Sequence, residues 1–427
     1  MGLRSVVPRQ QVRAAGVRFG SKADIGECLA HVRFTPKSRH RRALSCAGDP
    51  LSQRPPLGLI YRNAVCRGSS ILVVTLWGPV MTELHNRIVQ IRQFGDTDGL
   101  EVVDAPLPHA GQDEVRVRVL ASGLEYTDTL IRRHLYPQTA AQRPPFVMGY
   151  DLVGEIDQLG NGVSGFQIGD RVADMTVVGS NAAYCTLKAK DLTRVPAGVD
   201  AAEAAALILS WMTAYQLLHR AARVRRGQRV LVHGAAGAVG QALIVLGKMA
   251  GLELWGAARG RHTPLVRELG AIPIDYDRED FTRVLPGGFD IVFDGIGEDG
   301  YRRSFAALKN GGLLCAYGYS AGVQAQRRML TMLMWIARLY LWRWLPGGKR
   351  AQFYSINVMR ARHPSWFQKD LEQLFSLLAS QTIRPRIAER ISFDRVPEAH
   401  RRLEQGGLEG KLVLCPEHRW DMQHDAA

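Results

Sequence analysis

Gly234, Gly237 and Gly240 punctuate the stretch RVLVHGAAGAVGQALIVLGKMAG, Arg229 to Gly251, at regular three-residue intervals. Positions bare of side chains at that spacing suit the cradling of a pyrophosphate. Gly234 and Gly237 let the backbone bend sharply and bring amide N–H groups close to an anion, and Gly240 lets a helix lie close on a sheet. Ala235, Ala238 and Val239 complete the turn, and a phosphate would sit at the helix N-terminus, where free N–H groups and the dipole favour negative charge. Ala235 stands where a GxGxxG fingerprint has its first glycine, so the motif alone also fits a strand-helix turn that holds nothing.

The elements that must position this turn are legible around it. Val230, Leu231 and Val232 suit a buried parallel strand, and Val239, Leu243, Leu246 and Met249 recur at helical spacing. A second strand, Leu252 to Ala257, leads to Arg259 and Arg261 instead of the acid that would bind a ribose 2′-hydroxyl. Two arginines there suit a 2′-phosphate, so NADPH is expected over NADH; the alternative is a pair of solvated loop arginines. IPIDY, FDIVFDGIG and GGLLCAYG read as further strands alternating with helices, as in a doubly wound sheet. They put Asp294, Gly297 and Tyr319 at strand carboxyl ends, where such sheets bind ligands.

A chain of 427 residues is long enough for two domains and a large core. The net charge of +15 invites a polyanion partner until it is mapped: residues 1–80 hold 13 Lys and Arg against 3 Asp and Glu, and the remainder 42 against 37. The basic excess is not on the patterned body, so no nucleic-acid partner is expected. Residues 1–80 mix arginine, serine and proline without a sustained period and read as a disordered leader. Patterned sequence begins near Met81, which we take as the native start, with the preceding segment a gene-start artefact. Cys185, Cys315 and Cys415 in the body form neither a disulfide framework nor a CxxC metal pair, which fits a reducing cytoplasm.

From Arg87 to about Ala205 the body reads as strands and glycine-marked turns, and after about Ile383 strand-like sequence returns, ending in GKLVLCP. Between them, residues 327–348 form an aromatic insert, RRMLTMLMWIARLYLWRWLPGG. Its longest uncharged run is far short of the roughly 20 residues that cross a bilayer, so no transmembrane segment is expected. Met, Trp, Leu and Tyr at helical spacing suit a subunit interface or pocket lining. The alternative is peripheral membrane contact, with aromatics and arginines at a headgroup boundary.

The stretches ASGLEYTDTLIRRHLYP, PPFVMGYDLVGEIDQLGNGVSGFQIGDRV, LSWMTAYQLL, VLVHGAAGAVGQAL, RELGA and EGKLVL resemble the medium-chain dehydrogenase/reductase superfamily, in its zinc-free quinone oxidoreductase-like branch. The resemblance implies an α/β architecture: a GroES-like β-rich catalytic domain over residues 81–205 and 381–416, a Rossmann doubly wound parallel sheet over 206–380, and a tail over 417–427. Where alcohol dehydrogenase relatives place a catalytic zinc, the matching positions hold Glu125, Tyr150 and Leu209, so no metal is expected. Glu125 replaces an asparagine that contacts substrate or nicotinamide ribose. Tyr126, Tyr136 and Tyr150 are the candidate donors to a developing enolate, each with a packed core aromatic as its alternative. Thr213 resembles a threonine that touches carboxamide or ribose, and Lys411 a lysine beside the cofactor. Asp151 follows the lost histidine position and reads as an arginine partner.

These readings converge on a zinc-independent NADPH-dependent reductase that passes hydride to a quinone or α,β-unsaturated carbonyl. The alternatives are an enoyl-thioester reductase or a low-turnover NADPH-binding regulatory or membrane-associated protein. A homodimer is expected from the resemblance.

Overall fold

The computed structural model describes residues 58–66, 69–77, 85–318 and 328–416, and the chain divides into two compact units, Met1–Glu83 and Leu84–Ala427. In the first, β1 (Gly58–Cys66) and β2 (Ser69–Trp77) pair antiparallel, with Gly58 opposite Trp77 and Cys66 opposite Ser69. The expectation of a disordered leader therefore fails over this hairpin. Its strands are rich in Ile, Val, Leu and Tyr, which favour a pleated backbone. Met81 lies outside the described residues.

In the second unit strands dominate first: β3 (Asn86–Ile91), β4 (Leu100–Ala105), β5 (Glu114–Leu124), helix α1 (Tyr126–Arg132), β6 (Phe146–Val147), β7 (Leu152–Leu159), β8 (Arg171–Asp174), β9 (Tyr184–Lys188) and β10 (Thr193–Arg194). Alternation sets the faces of β5. Val115, Val117 and Val119 are buried, whereas Arg116 and Arg118 pair with Asp157 and Glu155 on β7. A single apolar helix, α2 (Ala201–Ala222), then crosses the expected 205/206 boundary, with two π-helical segments at Leu207–Trp211 and Leu217–Ala222. By length and composition it could span a membrane. However, 83% of its most apolar window is buried, as befits a core helix.

Strand and helix alternate from there: β11 (Arg229–His233), α3 (Ala238–Met249), β12 (Glu253–Ala258), α4 (Thr263–Leu269), β13 (Ile272–Asp275), β14 (Phe289–Asp294), α5 (Arg302–Ala306), β15 (Leu308–Ala316), α6 (Arg328–Leu341) and β16 (Arg350–Phe353). The six strands form one parallel sheet in the order β13-β12-β11-β14-β15-β16, the doubly wound arrangement expected. Parallel strands covered on both faces need apolar residues throughout, which accounts for Val230, Leu231 and Val232, all fully buried. Each such side chain contributes roughly 1.5–3 kcal/mol through burial. Of the four residues assigned to the inner face of α3, Leu243 and Leu246 are buried and Val239 partly so, but Met249, the helix's last residue, is 48% exposed.

The chain closes through α7 (Ile356–Arg362), α8 (Pro364–Ala379), β17 (Ile387–Ile391), α9 (Val396–Gln405) and β18 (Lys411–Leu414). β18 runs antiparallel to β5, with Leu412 opposite Leu124 and Val413 opposite Gly123. The last strand thus completes the first sheet, as read from GKLVLCP. That register also delivers Lys411 to the amino end of α1.

Candidate active site

The glycine turn folds as its spacing requires, with two corrections. Gly234 takes φ +66°, open to glycine, and its carbonyl accepts the Gly237 N–H at 2.9 Å; Gly237 caps α3, so the helix starts at Ala238. Ala238 and Val239 then stand in the first turn, whose N–H groups lack intrahelical acceptors. A Cβ on Gly240 would fall 2.3 Å from the Gly234 carbonyl oxygen, so this glycine packs the helix onto the turn itself more than onto the sheet. Ala235 is the second correction. Its N–H is held by the Ala257 carbonyl at 3.1 Å and its fully buried side chain packs toward Gly256, so it shapes the turn and offers no donor to a phosphate.

Around this turn the carboxyl ends of the parallel strands gather the other expected cofactor residues. Arg259 follows β12 and donates to the Tyr276 hydroxyl at 3.1 Å, and Arg261 donates to the His262 imidazole at 3.1 Å. Arg261, Arg267 and Arg278 line one cleft together with Asp275 and Glu279. Asp294 needs correcting as a cofactor contact: Oδ1 accepts the N–H groups of Ile296 (2.8 Å) and Gly297 (3.0 Å), and Oδ2 accepts the Ser304 hydroxyl (2.6 Å). Its carboxylate is engaged in building its own loop. Gly297, at φ +70°, lies in that loop against the Tyr301 ring, and Gly318 packs so close to Gly295 that a Cβ would meet its carbonyl at 2.1 Å. Tyr319 lies outside the described residues.

At the start of α1 a second group forms. Lys411, 4% exposed, sets its ammonium against the Glu125 carboxylate, which the Ser210 hydroxyl also approaches at 3.4 Å. A solvated lysine is thereby ruled out. Burial pushes the Lys411 amine down to about 7, an effect the adjoining carboxylate opposes. Beside the pair stand two more buried acids, Asp128, whose Oδ2 accepts the Glu125 N–H at 2.8 Å, and Asp151, whose Oδ1 accepts the Gly123 N–H at 2.7 Å. Asp151 therefore holds backbone, not the expected arginine. Burial raises Asp128 well above the carboxylate range and lifts Asp151 to about 8. Gly123 is the close-packed floor: a Cβ there would lie 2.8 Å from Asp151 Oδ1 and 3.0 Å from Lys411 Nζ.

The tyrosines divide. Tyr126 is 40% exposed on the first turn of α1 and stays apart, whereas Tyr136 and Tyr150 meet hydroxyl to hydroxyl at 2.6 Å. Tyr150 is fully buried, aimed by the turn at Gly149, whose φ of +108° and proximity to Ser180 and Asn181 leave no room for a Cβ. Asn357, on α7, donates its two amide N–H groups to the two hydroxyls, at 2.9 Å to Tyr136 and 2.8 Å to Tyr150. No motif in the sequence signals Asn357. Arg360, one turn further along α7, clamps the helix to the β-rich sheet through the Asp174 carboxylate and the Met175 carbonyl. Burial raises both phenols, Tyr150 more strongly, so both remain protonated at neutral pH. Thr213 is buried in α2, close along the helix to Ser210.

The proton count at this cluster is informative. Asn357 donates to both hydroxyls and a single proton bridges them, so whichever phenol donates to the other, one of the two O–H protons is left over. Tyr136, half-buried where Tyr150 is fully buried, is the phenol placed to offer that proton outward. A tetrahedral zinc does not fit here: Glu125 is tied to Lys411, the Tyr150 hydroxyl belongs to the tyrosine–amide cluster, and Leu209 has no donor atom. Among the described residues no three His, Cys, Asp or Glu side chains group to hold a metal ion.

Comparison with known proteins gives the chain its relatives. Residues 111–217 match the alcohol dehydrogenase GroES-like domain, and residues 269–414 match a model described as zinc-binding dehydrogenase. A quinone oxidoreductase of Pseudomonas aeruginosa is 31% identical over 336 residues, covering 77% of this chain and 99% of the relative. A 2-haloacrylate reductase of a Burkholderia species is 26% identical, covering 77% of this chain and 98% of the relative. A mycobacterial protein solved in complex with NADPH superposes with a TM-score of 0.66 at 27% identity, covering 78% of this chain and all of that one. With both domains matched and a relative aligned almost end to end, the chain is an oxidoreductase of the medium-chain dehydrogenase/reductase superfamily, in its quinone oxidoreductase-like branch.

Proposed function

We propose that the protein is a zinc-independent, NADPH-dependent reductase of quinones or α,β-unsaturated carbonyl compounds. The observation that carries this reading is the Tyr136–Tyr150–Asn357 cluster, standing where alcohol-oxidising relatives need a metal and ending in one uncommitted phenolic proton. When bound, reduced nicotinamide supplies the hydride. Gly234, Gly237 and the first turn of α3 hold the pyrophosphate, and Arg259 and Arg261 favour a 2′-phosphate. Tyr136 donates a hydrogen bond to the acceptor oxygen as negative charge develops there, in an enclosed site where such a bond is strongest. Tyr150 and Asn357 fix its hydroxyl, so little reorganisation accompanies reaction.

The relatives support the acceptor class: one is named for quinones, another for a halogenated acrylate, and both substrates carry a C=C bond activated by a carbonyl group. The mycobacterial NADPH complex supports the cofactor. A homodimer belongs to this reading, as the resemblance implies; light scattering measures it. A cytoplasmic setting accords with three unpaired cysteines at Cys185, Cys315 and Cys415.

The test is NADPH consumption against a panel of quinones, enals and enoyl thioesters. Turnover with quinones or enals is expected; tight NADPH binding with no consumption of any acceptor overturns the proposal. For the cofactor, Arg259→Ala with Arg261→Ala should weaken NADPH by about tenfold or more and leave NADH nearly unchanged. An equal loss for both coenzymes would remove the 2′-phosphate assignment.

A further inference from the structure

The helix α6 presents two opposite faces. Its inner face is anchored at intervals of four and three residues: Trp335 meets the Tyr301 ring edge-on at 5.7 Å, Leu339 is fully buried, and Trp342 just beyond the helix stacks on Phe305 at 4.3 Å. The outer face repeats the apolar pattern and is exposed among the described residues. Leu330, Leu333, Met334, Tyr340 and Leu341 are between 49% and 66% exposed and fall on one side of the helix, a stripe along its length. Side chains exposed singly would need no account, but a stripe of this length marks a contact surface. Because its inner residues pack on the parallel-sheet domain, the stripe does not line an internal pocket.

Charge decides between occupants. Residues 300–369 contain 12 Lys and Arg and no Asp or Glu. Arg302, Arg338, Lys349 and Arg350 flank the helix: Arg338 bonds the Gly300 carbonyl and feels the charge of Arg302, Lys349 lies over the Phe305 ring, and Arg350 opens β16. The Asp299 carboxylate acts on Arg338 as well, but it is engaged at the start of α5, where it accepts the backbone N–H of Arg302. A second copy placed face to face would bring cations against cations. An apolar stripe with an exposed Tyr, rimmed mainly by cations, complements a surface that is apolar below and anionic above.

We propose that α6 docks this protein on an anionic lipid bilayer, lying in the headgroup plane with Leu333, Met334 and Leu341 entering the acyl boundary. The helix does not cross the membrane; it brings the parallel-sheet domain to the surface. This inference stands independently of which acceptor the enzyme reduces.

The experiment is flotation of the full chain with vesicles of phosphatidylcholine alone or mixed with phosphatidylserine. Wild type should float with the mixed vesicles and be released by raised salt. The double variant Leu333→Glu, Leu341→Glu should bind them at least about tenfold more weakly, since each glutamate removes apolar insertion and meets like charge. Both substitutions fall on exposed atoms, so melting temperature and NADPH consumption should not move. Equal flotation of wild type and double variant would overturn the proposal, whatever the first 83 residues contribute to binding. So would a wild type that never floats, or a double variant that loses only self-association on light scattering.

Discussion

The Tyr136–Tyr150 pair keeps one hydroxyl proton that its cluster does not consume, and with Tyr136 the less buried of the two, the consequence is testable at a single oxygen. Tyr136→Phe keeps the ring and removes the donor, so turnover with a quinone or enal should fall about 10²-fold, in the range for a positioned acid, with NADPH affinity by calorimetry unchanged. Nearby, Asp151 reports through pH. Its folded carboxyl is raised from 3.8 to about 8, so between those values the folded protein keeps a proton that the unfolded chain releases, and this group's stabilisation is lost as pH rises. Lys411 is depressed from 10.5 to about 7 and works in the opposite sense, over the window above about 7. Asp151→Asn retains an oxygen for the Gly123 N–H and removes the titration. Its urea midpoint should therefore gain on wild type steadily from pH 5 to pH 7; a gap independent of pH would show that Asp151 titrates normally.

At the scale of elements, α7 is the joint between the two halves of the site. It follows the last strand of the parallel sheet and is held to the β-rich sheet by Arg360, whose partner Asp174 is buried with side-chain exposure of 8%. Removing one member of such a pair leaves an uncompensated charge and costs about 3–5 kcal/mol. Arg360→Met should lower thermal stability and also reduce turnover by loosening Asn357 from the phenols, while the α3 turn still binds NADPH. Loss of stability with turnover per folded molecule intact would make α7 a structural strut only. Strand β18 acts similarly, since its pairing with β5 is what places Lys411 against Glu125.

For the whole molecule, the two compact units make a prediction about independence. Both candidate binding regions lie in the second unit, Leu84–Ala427. Residues 84–427 expressed alone should melt within a few degrees of the full chain and retain its turnover. A large loss would mean that the hairpin unit supports the enzyme. The outer face of α6 remains in that shortened protein, so its vesicle binding should survive as well.

Sequence by itself determined what repeats locally. The glycine turn, the alternation of strand and helix after it, the return strand at Lys411 and the arginines after β12 follow from backbone freedom and residue spacing, which act over a few neighbours. The same rules assigned Met249 a buried face and Asp294 a ligand, because periodicity cannot say where packing ends or which donor reaches a carboxylate first. Only the tertiary structure decided the chemistry of the site. Asn357 is 221 residues from Tyr136, and Lys411 meets Glu125 through a strand that pairs antiparallel across nearly the whole body. Such contacts depend on how sheets and helices close on one another, and no local pattern records that closure.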